Sequence, residues 1–277
     1  MIKYEVQRIT FKGDYFMINK LRAVEDGYME LFSQKKTAQD ISYFSNHTVP
    51  EMYDHNFILI KNISNETETI EFIREQLKAL AQSDKEHLKI VIHPGIEASK
   101  DFYDTMNDLG FDVDNIYYMT ADEHTAVDWH GDDSCRIKKA VTSEEIKAGV
   151  DCAITYAVQR MSLELSSKKA NQKKELYEKG LMDLYICYDE ETPIGFCDWY
   201  EKDEIVKLEE VTILNEFQGK GFGTNMLKKL LYKAIKEEKK QVYIVTDTGE
   251  EHNIYLKLGF ERAGTEIELF LMKEDMK

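Results

Sequence analysis

Several features that define common protein classes are scarce or missing in this chain. Its 277 residues contain only 3 prolines, too few for an extended linker or a low-complexity segment. The sequence has no run of about 18 apolar residues, so it offers no membrane-spanning helix. The first ten residues, MIKYEVQRIT, lack the basic segment followed by an apolar segment that marks a signal peptide. These absences predict a globular protein with no membrane partner.

Cysteine is also sparse, and its positions show no pairing pattern. Cys135, Cys152, Cys187 and Cys197 include no CxxC spacing, which is the common signature of zinc or redox sites. Free thiols are typical of proteins in a reducing compartment. We therefore expect four free cysteines and a cytoplasmic location.

Basic residues are too few to balance the acidic ones. The formal net charge is -16, with 36 Lys and Arg against 52 Asp and Glu. Residues 1–135 hold 13 basic and 25 acidic residues, so the imbalance lies mainly in the first half. Phosphate recognition needs clustered Lys and Arg, so nucleic acid is not expected as a partner. The acidic surface favours solubility or attraction of a cationic small substrate.

Hydrophobic periodicity in the second half predicts alternating strands and helices. The short connection ETPI between two segments rich in aromatic and apolar residues indicates a hairpin. These elements predict an α+β fold with a mixed β-sheet flanked by helices. Strands are predicted at 135–141, 184–189, 195–203, 205–214 and 242–247, and helices at 142–161, 167–179 and 221–239.

The tripeptide LGF occurs twice, at 109–111 and 258–260. In both places it ends a short predicted helix that follows one strand and precedes another. Glycine suits the left-handed conformation that often follows a helix end, and the phenylalanine would then pack back into the core. The repeated context predicts two related domains, at residues 1–125 and 134–277.

The segment 121–134 between these two domains contains possible metal ligands. They are His124, His130, Asp132 and Asp133. No companion cluster of His, Cys or carboxylate residues is visible elsewhere, and a zinc site needs four ligands at defined spacing. We therefore interpret the segment as a polar linker and expect no metal.

The most distinctive stretch is NEFQGKGFGTNM, residues 215–226, which places three glycines directly before a predicted helix. Unpaired amides and the helix dipole favour an anion at such a point, and glycines let a pyrophosphate approach the backbone. The stretch does not fit the Walker A pattern, and Thr224 stands where GxGxxG needs its third glycine. It fits [Q/R]xxGx[G/A] at residues 218–223. A tight strand-to-helix turn without a ligand is the competing interpretation.

That pattern, the preceding strand LEEVTIL and the trailing YLKLGF resemble the GNAT superfamily of acyl-CoA-dependent N-acyltransferases over about residues 135–275. The resemblance implies a GNAT-like fold in which acetyl-CoA is the co-substrate and a primary amine of a small molecule, or of a peptide, attacks it directly through a tetrahedral intermediate. The first half lacks QxxGxG and resembles only the later part of the fold, so we interpret it as a degenerate tandem copy. A non-catalytic acyl-CoA sensor or interaction module is the alternative.

The resemblance also implies roles for individual residues. Tyr255 corresponds to the acid that protonates the CoA thiolate, and its counterpart in the first half is Met106. Glu209 corresponds to a base found in some members, with Glu210 or a water chain as open alternatives. Many members have Asn where this chain has Thr248. The implied acetyl-CoA-binding residues are Val211, Thr212, Ile213, Gln218, Gly219, Lys220, Gly221, Phe222, Gly223, Thr224 and Thr248.

Family members separate the strand before the loop from the strand after the following helix, and the thioester lies in that gap. By their position on the hairpin, Asp198, Trp199 and Tyr200 are expected to line the acceptor side. No feature of the sequence selects one acceptor amine or decides between a monomer and a homodimer.

Overall fold

The computed structural model describes residues 12–125, 129–247 and 249–276. Its strands are β1 (Gln34–Ala38), β2 (Ile41–Ser45), β3 (Phe57–Ile60), β4 (His87–Ile92), β5 (Asp112–Ala121), β6 (Arg136–Lys139), β7 (Asp183–Asp189), β8 (Thr192–Lys202), β9 (Ile205–Ile213), β10 (Gln241–Thr246) and β11 (Glu261–Met272). Its helices are α1 (Lys12–Met29), α2 (Glu66–Ala81), α3 (Lys100–Asp108), α4 (Ser143–Ala157), α5 (Leu163–Glu178), α6 (Phe222–Leu231) and α7 (Glu250–Lys257). A π-helical segment, Tyr232–Glu237, extends α6. The predicted mixed sheet flanked by helices is confirmed.

The described strands form one sheet, in which the two halves of the chain interleave. The strand order is β1-β2-β3-β4-β11-β5-β10-β9-β8-β7-β6. Strand β5 of the first half lies between β10 and β11 of the second half and is antiparallel to both. Strand β11 in turn pairs with β4. The last strand of each half therefore lies inside the sheet and pairs with at least one strand of the other half.

Alternating side chains place the helices on two faces of this sheet. Tyr243 on β10 packs with α1, whereas its neighbours Val242 and Ile244 pack with α6. In the same way, α4 and α5 cover β7 and β8 on the α1 side, and α2 and α3 share a face with α6 and α7. Because side chains in a strand point alternately to opposite faces, the chain has two separate apolar layers.

Both LGF tripeptides adopt the conformation that the sequence predicts. Gly110 and Gly259 have φ angles of 95° and 85°, in the left-handed region. Phe111 and Phe260 are buried, with exposed fractions of 3% and 2%. Since a left-handed residue after a helix end lets the chain turn back on the helix, each glycine directs the next phenylalanine into the core.

The segment between the two halves is docked on the second half. Trp129 is 1% exposed and donates a hydrogen bond from Nε1 to the carbonyl oxygen of Leu258 at 2.9 Å. The amide of Asp132 donates to Oδ1 of Asn225 on α6, also at 2.9 Å. Among the described residues, no group of three or more His, Cys, Asp or Glu side chains is placed to hold a metal ion.

The four cysteines are buried and free, as the sequence predicts. None of the helices in the described part of the chain is long and apolar enough to cross a membrane.

Candidate active site

The centre of the sheet opens between β9 and β10. These parallel strands pair at their beginnings, with Val206 opposite Val242 and Lys207 opposite Tyr243. Within the described residues their ladder stops there, although β9 continues to Ile213. The other edge of β9 pairs with β8 along most of its length. The later part of β9 therefore presents backbone groups toward a gap in the sheet, as the resemblance implies.

The glycine-rich loop follows β9 directly and shapes the beginning of α6. Gly219 and Gly221 have φ angles of 75° and 85°, and a Cβ atom at either position would meet nothing within 4 Å. The left-handed backbone favours glycine at both positions, whereas steric crowding does not, because a side chain would have room there. Gly221 precedes α6 and provides no side-chain cap for it. The first turn of α6 therefore presents uncapped amides at the mouth of the gap.

The side chains of the loop anchor it and leave its outer surface open. Phe222 is buried among the apolar residues under α6. Gln218 donates from Nε2 to the carbonyl oxygen of Ile213 at 2.8 Å, which ties the loop to the end of β9. Lys220 and Thr224 are exposed. The first turn of α6 contains no acidic residue, so the field of the helix dipole at this point is uncompensated.

A β-bulge in the middle of β9 changes the face of the sheet toward which the side chains point. Thr212 pairs with Phe196 and Glu209 pairs with Asp198, so two residues of β9 stand opposite one residue of β8. Glu210 sits in the bulge with φ 52°. Because a bulge breaks the alternation of side chains, Glu209 and Glu210 both reach the same cavity.

That cavity has a volume of about 290 Å³ and lies between the two halves of the chain. The first half contributes α1, β4 and the turn before β3, and the second half contributes α5, β9, β10 and β11. Small-molecule sites usually begin at about this size. Its carboxylates include Glu25, Asp54, Glu209, Glu210, Glu266 and Glu268.

Glu209 shares a buried lysine with a carboxylate from the first half. Lys207 has a 2% exposed side chain, and its Nζ lies 2.9 Å from Oε2 of Glu209 and 2.7 Å from Glu25. The Glu209 side chain keeps 32% of its surface exposed. Burial raises the pKa of Glu209, Lys207 opposes that effect, and repulsion from Glu25 and Glu210 adds to it. The net pKa is raised, which favours proton acceptance near neutrality.

Glu210 is held differently, by two lysines of α5. Lys173 lies 2.7 Å from Glu210, and Lys169 also forms an ion pair with it. Burial alone would raise the pKa of Glu210, but Lys173 and Lys169 outweigh it and hold the pKa well below its usual range. Lys173 also lies 2.5 Å from Asp198. A carboxylate with such a low pKa is a weak base, so the two neighbouring glutamates differ in chemistry.

Tyr255 lies on the opposite face of the sheet from the cavity. It is half-buried on α7, its ring centroid is 5.7 Å from that of Phe260, and it packs against the layer under α6. Glu209 belongs to the α1 and α5 face. Glu209 and Tyr255 therefore lie on opposite faces of the sheet.

The structure does not place every predicted residue at the site. Asp198, Trp199 and Tyr200 are 0%, 3% and 8% exposed and do not line the cavity, so the expectation that they form the acceptor side is wrong. Asp198 is occupied by Lys173 and by the Tyr177 hydroxyl, which donates to it at 2.5 Å. Thr248 lies outside the described residues.

Sequence reasoning also missed residues that the structure brings to the cavity. Glu25 and Tyr28 on α1 and Lys173 on α5 line it. Glu25 contacts Lys207 across 182 residues of sequence, and Lys173 contacts Glu210 across 37. Charged residues on a predicted helix normally indicate a solvated face. Only the contacts in the folded structure distinguish these cavity residues from charged residues on the surface.

Comparison with known proteins agrees with this arrangement. The family model of the acetyltransferase (GNAT) domain matches residues 182–262, which include the loop, the gap and Tyr255. A curated relative, the uncharacterized N-acetyltransferase CgeE of Bacillus subtilis (strain 168), is 25% identical over 260 residues, 89% of this chain and 96% of that protein.

Solved structures show the same fold at low identity. A conserved protein of unknown function from Staphylococcus epidermidis is 16% identical, with a TM-score of 0.69 over 87% of this chain and 95% of that one. A GCN5-related N-acetyltransferase from Kribbella flavida is 12% identical, with a TM-score of 0.65 over 92% and 95% of the two chains. Residues 182–262 therefore match the acetyltransferase (GNAT) domain model, and the chain over most of its length is similar in sequence to an N-acetyltransferase and shares its fold with solved structures.

Proposed function

We propose that the protein transfers an acetyl group from acetyl-CoA to a primary amine of a small molecule. The observation that carries this proposal is the loop at 218–224, whose uncapped helix start opens beside the gap between β9 and β10. We further propose that residues 1–125 and 134–277 are tandem copies and that only the second binds acetyl-CoA. The free, buried cysteines support a cytoplasmic location.

Acetyl-CoA would lie along the gap with its pyrophosphate on the loop. Backbone amides from Gly219 to Thr224, reinforced by the α6 dipole, suit an anion, and Lys220 adds an exposed positive charge. Val211 to Ile213 offer their free strand edge to the pantetheine arm, which would pair with it as an added strand does. The thioester would then reach the point where the strands separate.

The acceptor amine would enter from the cavity side. Its ammonium must lose a proton before the nitrogen can attack the thioester carbon. Glu209 suits this task because its pKa is raised and its side chain is partly exposed in the cavity, whereas the ion pairs of Glu210 make it a poorer base. The volume of about 290 Å³ supports a small acceptor. The lining that the structure describes holds seven carboxylates against five Lys and Arg side chains, and this small excess of negative charge favours a cationic acceptor.

Departure of CoA requires a proton on the other face of the sheet. As the carbon–sulfur bond breaks, the sulfur takes the electron pair and gains from a nearby donor. The Tyr255 hydroxyl would supply that proton from α7. Glu209 and Tyr255 would thus act from opposite sides of the gap, one accepting a proton from the amine and one giving a proton to the thiolate.

Heat-induced unfolding with and without acetyl-CoA tests where the co-substrate binds. A ligand at 100 times its Kd stabilises the folded state by about 2.7 kcal/mol, so the wild-type midpoint should rise. Gly221→Trp should abolish the rise because a bulky side chain would fill the loop. Gly180→Trp is a matched control, since Gly180 also has a positive φ, 66°, and open space within 4 Å of where a Cβ would lie, but it ends α5.

Transfer itself is measured by thiol release with a panel of polyamines, amino acids, amino sugars and peptides, and the product is identified by mass spectrometry. An acetylated amine that appears only with intact protein supports the proposal. Stabilisation by acetyl-CoA without turnover of any amine would instead indicate an acyl-CoA sensor. If millimolar acetyl-CoA does not raise the midpoint, the loop is not a CoA site.

A further inference from the structure

We propose that the first half of the chain takes part in the reaction: Glu25 on α1 is a positioning residue that acts through Lys207 to hold the acceptor base Glu209. This inference rests on the proposed function, in which Glu209 accepts the proton of the amine. It assigns a task to a half of the protein that lacks the acetyl-CoA loop.

Glu25 and Lys207 form a close ion pair that contains two hydrogen bonds. Lys207 Nζ donates to both carboxylate oxygens of Glu25 at 2.7 Å, across 182 residues of sequence. Both groups are buried, with exposed side-chain fractions of 2% for Lys207 and 5% for Glu25. A buried ammonium is stable only when its charge is paired and its protons are bonded, so Glu25 fixes the place of Lys207.

Two further groups restrict this ion pair to one geometry. The Tyr243 hydroxyl donates to Oε2 of Glu25 at 2.9 Å, and Lys207 Nζ lies 4.2 Å from the centre of the Tyr28 ring. Tyr28 is one turn after Glu25 on the same helix, so α1 encloses the ammonium with a carboxylate and an aromatic face. The third neighbour of Lys207 is Glu209, at 2.9 Å.

The position of Lys207 decides how strongly it attracts Glu209. Because Glu25 and Glu209 share the ammonium of Lys207, it neutralises neither carboxylate completely. The negative charge of Glu25 also raises the pKa of Glu209 directly. Without Glu25, Lys207 would pair with Glu209 alone and would lower its pKa. Several titratable or charged groups face Lys207 and Glu209 from the packed elements. The nearer ones are Glu25 and Tyr28 on α1, Lys169 and Lys173 on α5, Asp198 on β8, Glu210 on β9, and Tyr243 and Asp247 at β10. The same cavity is also lined by Arg22 on α1, Asp54 and His55 before β3, Lys89 on β4, and Glu266 and Glu268 on β11.

The test compares Glu25→Gln with the wild type in two independent measurements. The first is the pH profile of kcat, in which the acid limb should move to lower pH. The plateau of kcat should fall about tenfold, which is less than the 10²–10⁴ that an intact general base contributes, while the KM for acetyl-CoA stays unchanged. The second is the titration of the Glu209 carboxyl carbon by NMR in protein labelled at glutamate, assigned with Glu209→Gln.

Matched variants separate positioning from a purely structural role. Glu30→Gln removes a carboxylate that follows the same helix and pairs with Lys35 at the surface, and it should leave both measurements unchanged. Glu25→Asp keeps the charge and should restore part of kcat. If Glu25→Gln fails to fold, Glu25→Gln/Lys207→Gln removes both charges of the pair. In that double variant Glu209 should titrate at higher pH than in the wild type, because the attracting ammonium is gone.

The two measurements distinguish failure of this inference from failure of the proposed function. An unchanged Glu209 titration in Glu25→Gln overturns the inference even if the wild type is an active transferase. An altered stability with an unaltered pH profile also overturns it, since Glu25 would then only support the fold. Absence of turnover in the wild type rejects the transferase and, with it, any base that Glu25 could position.

Discussion

Met106 and Tyr255 occupy the same place in two helices that end in the same way. The carbonyl oxygen of Met106 accepts the N–H of Phe111 at 3.1 Å, and the carbonyl oxygen of Tyr255 accepts the N–H of Phe260 at 3.1 Å. The backbone is thus repeated while the side chain differs. A thioether cannot donate a proton, whereas a phenol can, so only the second half carries a candidate acid at this position.

Replacing Tyr255 with phenylalanine tests this difference. The variant keeps the ring that packs against Phe260 and removes only the hydroxyl. We expect kcat to fall by about 10²–10⁴, the usual contribution of a general acid, with little change in the KM for acetyl-CoA. Steady-state thiol release measures both constants. Tyr103→Phe, in the corresponding helix of the first half, is the control, and equal turnover by both variants would remove Tyr255 from the mechanism.

The sequence was sufficient to predict the local structure around this site. The predicted start of α4 is confirmed by Thr142, whose hydroxyl accepts from the Glu145 amide in a capping box. The two left-handed glycines of the LGF tripeptides were predictable because few other residues adopt that conformation. Helix ends and glycine turns depend on residues that are adjacent in the chain, so the sequence alone is enough to predict them.

The contacts between the two halves were not predictable in the same way. Strand β5 pairs with β10 across more than 120 residues, and nothing in the composition of either strand specifies that partner. The facing of Glu209 and Glu210 depends on a bulge opposite β8, which the sequence allowed without requiring. The role of Lys207 could not be predicted from the sequence, because its bond to Glu25 exists only after α1 packs on the sheet.

The lysine at the centre of the α5 network should be essential for stability. Lys173 is 5% exposed and pairs with Asp198, which is fully buried, and with Glu210. Lys173→Met would leave a buried carboxylate without its counter-ion, which costs about 3–5 kcal/mol. Guanidinium unfolding measures the loss. Lys139→Met is the comparison, because Lys139 and Asp183 are 45% and 30% exposed and such pairs contribute about 0–1 kcal/mol. Similar losses for both variants would contradict the burial argument.

Glu266 should make stability depend on pH. Burial raises its pKa to about 7, although Arg22 at 2.9 Å opposes the shift. Since the folded pKa lies above the unfolded value of about 4.3, the folded protein binds more protons between these values, and stability falls as pH rises toward 7.

Glu266→Gln cannot titrate, so its stability should fall less than that of the wild type between pH 5 and pH 8. The difference should reach at most about 3 kcal/mol, since one pKa unit corresponds to 1.36 kcal/mol. Urea unfolding across this pH range measures it. Glu261→Gln changes an exposed carboxylate on the same strand and should follow the wild type. A parallel pH dependence in Glu266→Gln and the wild type would show that Glu266 is already ionised at pH 5.

The two halves should fold as a pair rather than separately. A fragment of residues 134–277 would lose β5, the strand that covers β10 and one side of β11, and β4, which covers the other side of β11. Unpaired strand edges expose backbone donors and acceptors and promote aggregation. The same fragment would also lose α1, and with it both Glu25 and the ring of Tyr28 that enclose Lys207.

We therefore expect residues 134–277 to aggregate when expressed alone and to form a soluble one-to-one complex when expressed together with residues 1–125. Size-exclusion chromatography and heat-induced unfolding of the two preparations measure this. If the isolated fragment unfolds cooperatively at the midpoint of the full chain and is stabilised equally by acetyl-CoA, the interleaved strands contribute little to the second half. A complex that regains the full-chain midpoint would instead show that the contacts between the halves, including the exchange of β5 and β11, stabilise the second half without a peptide bond that joins them.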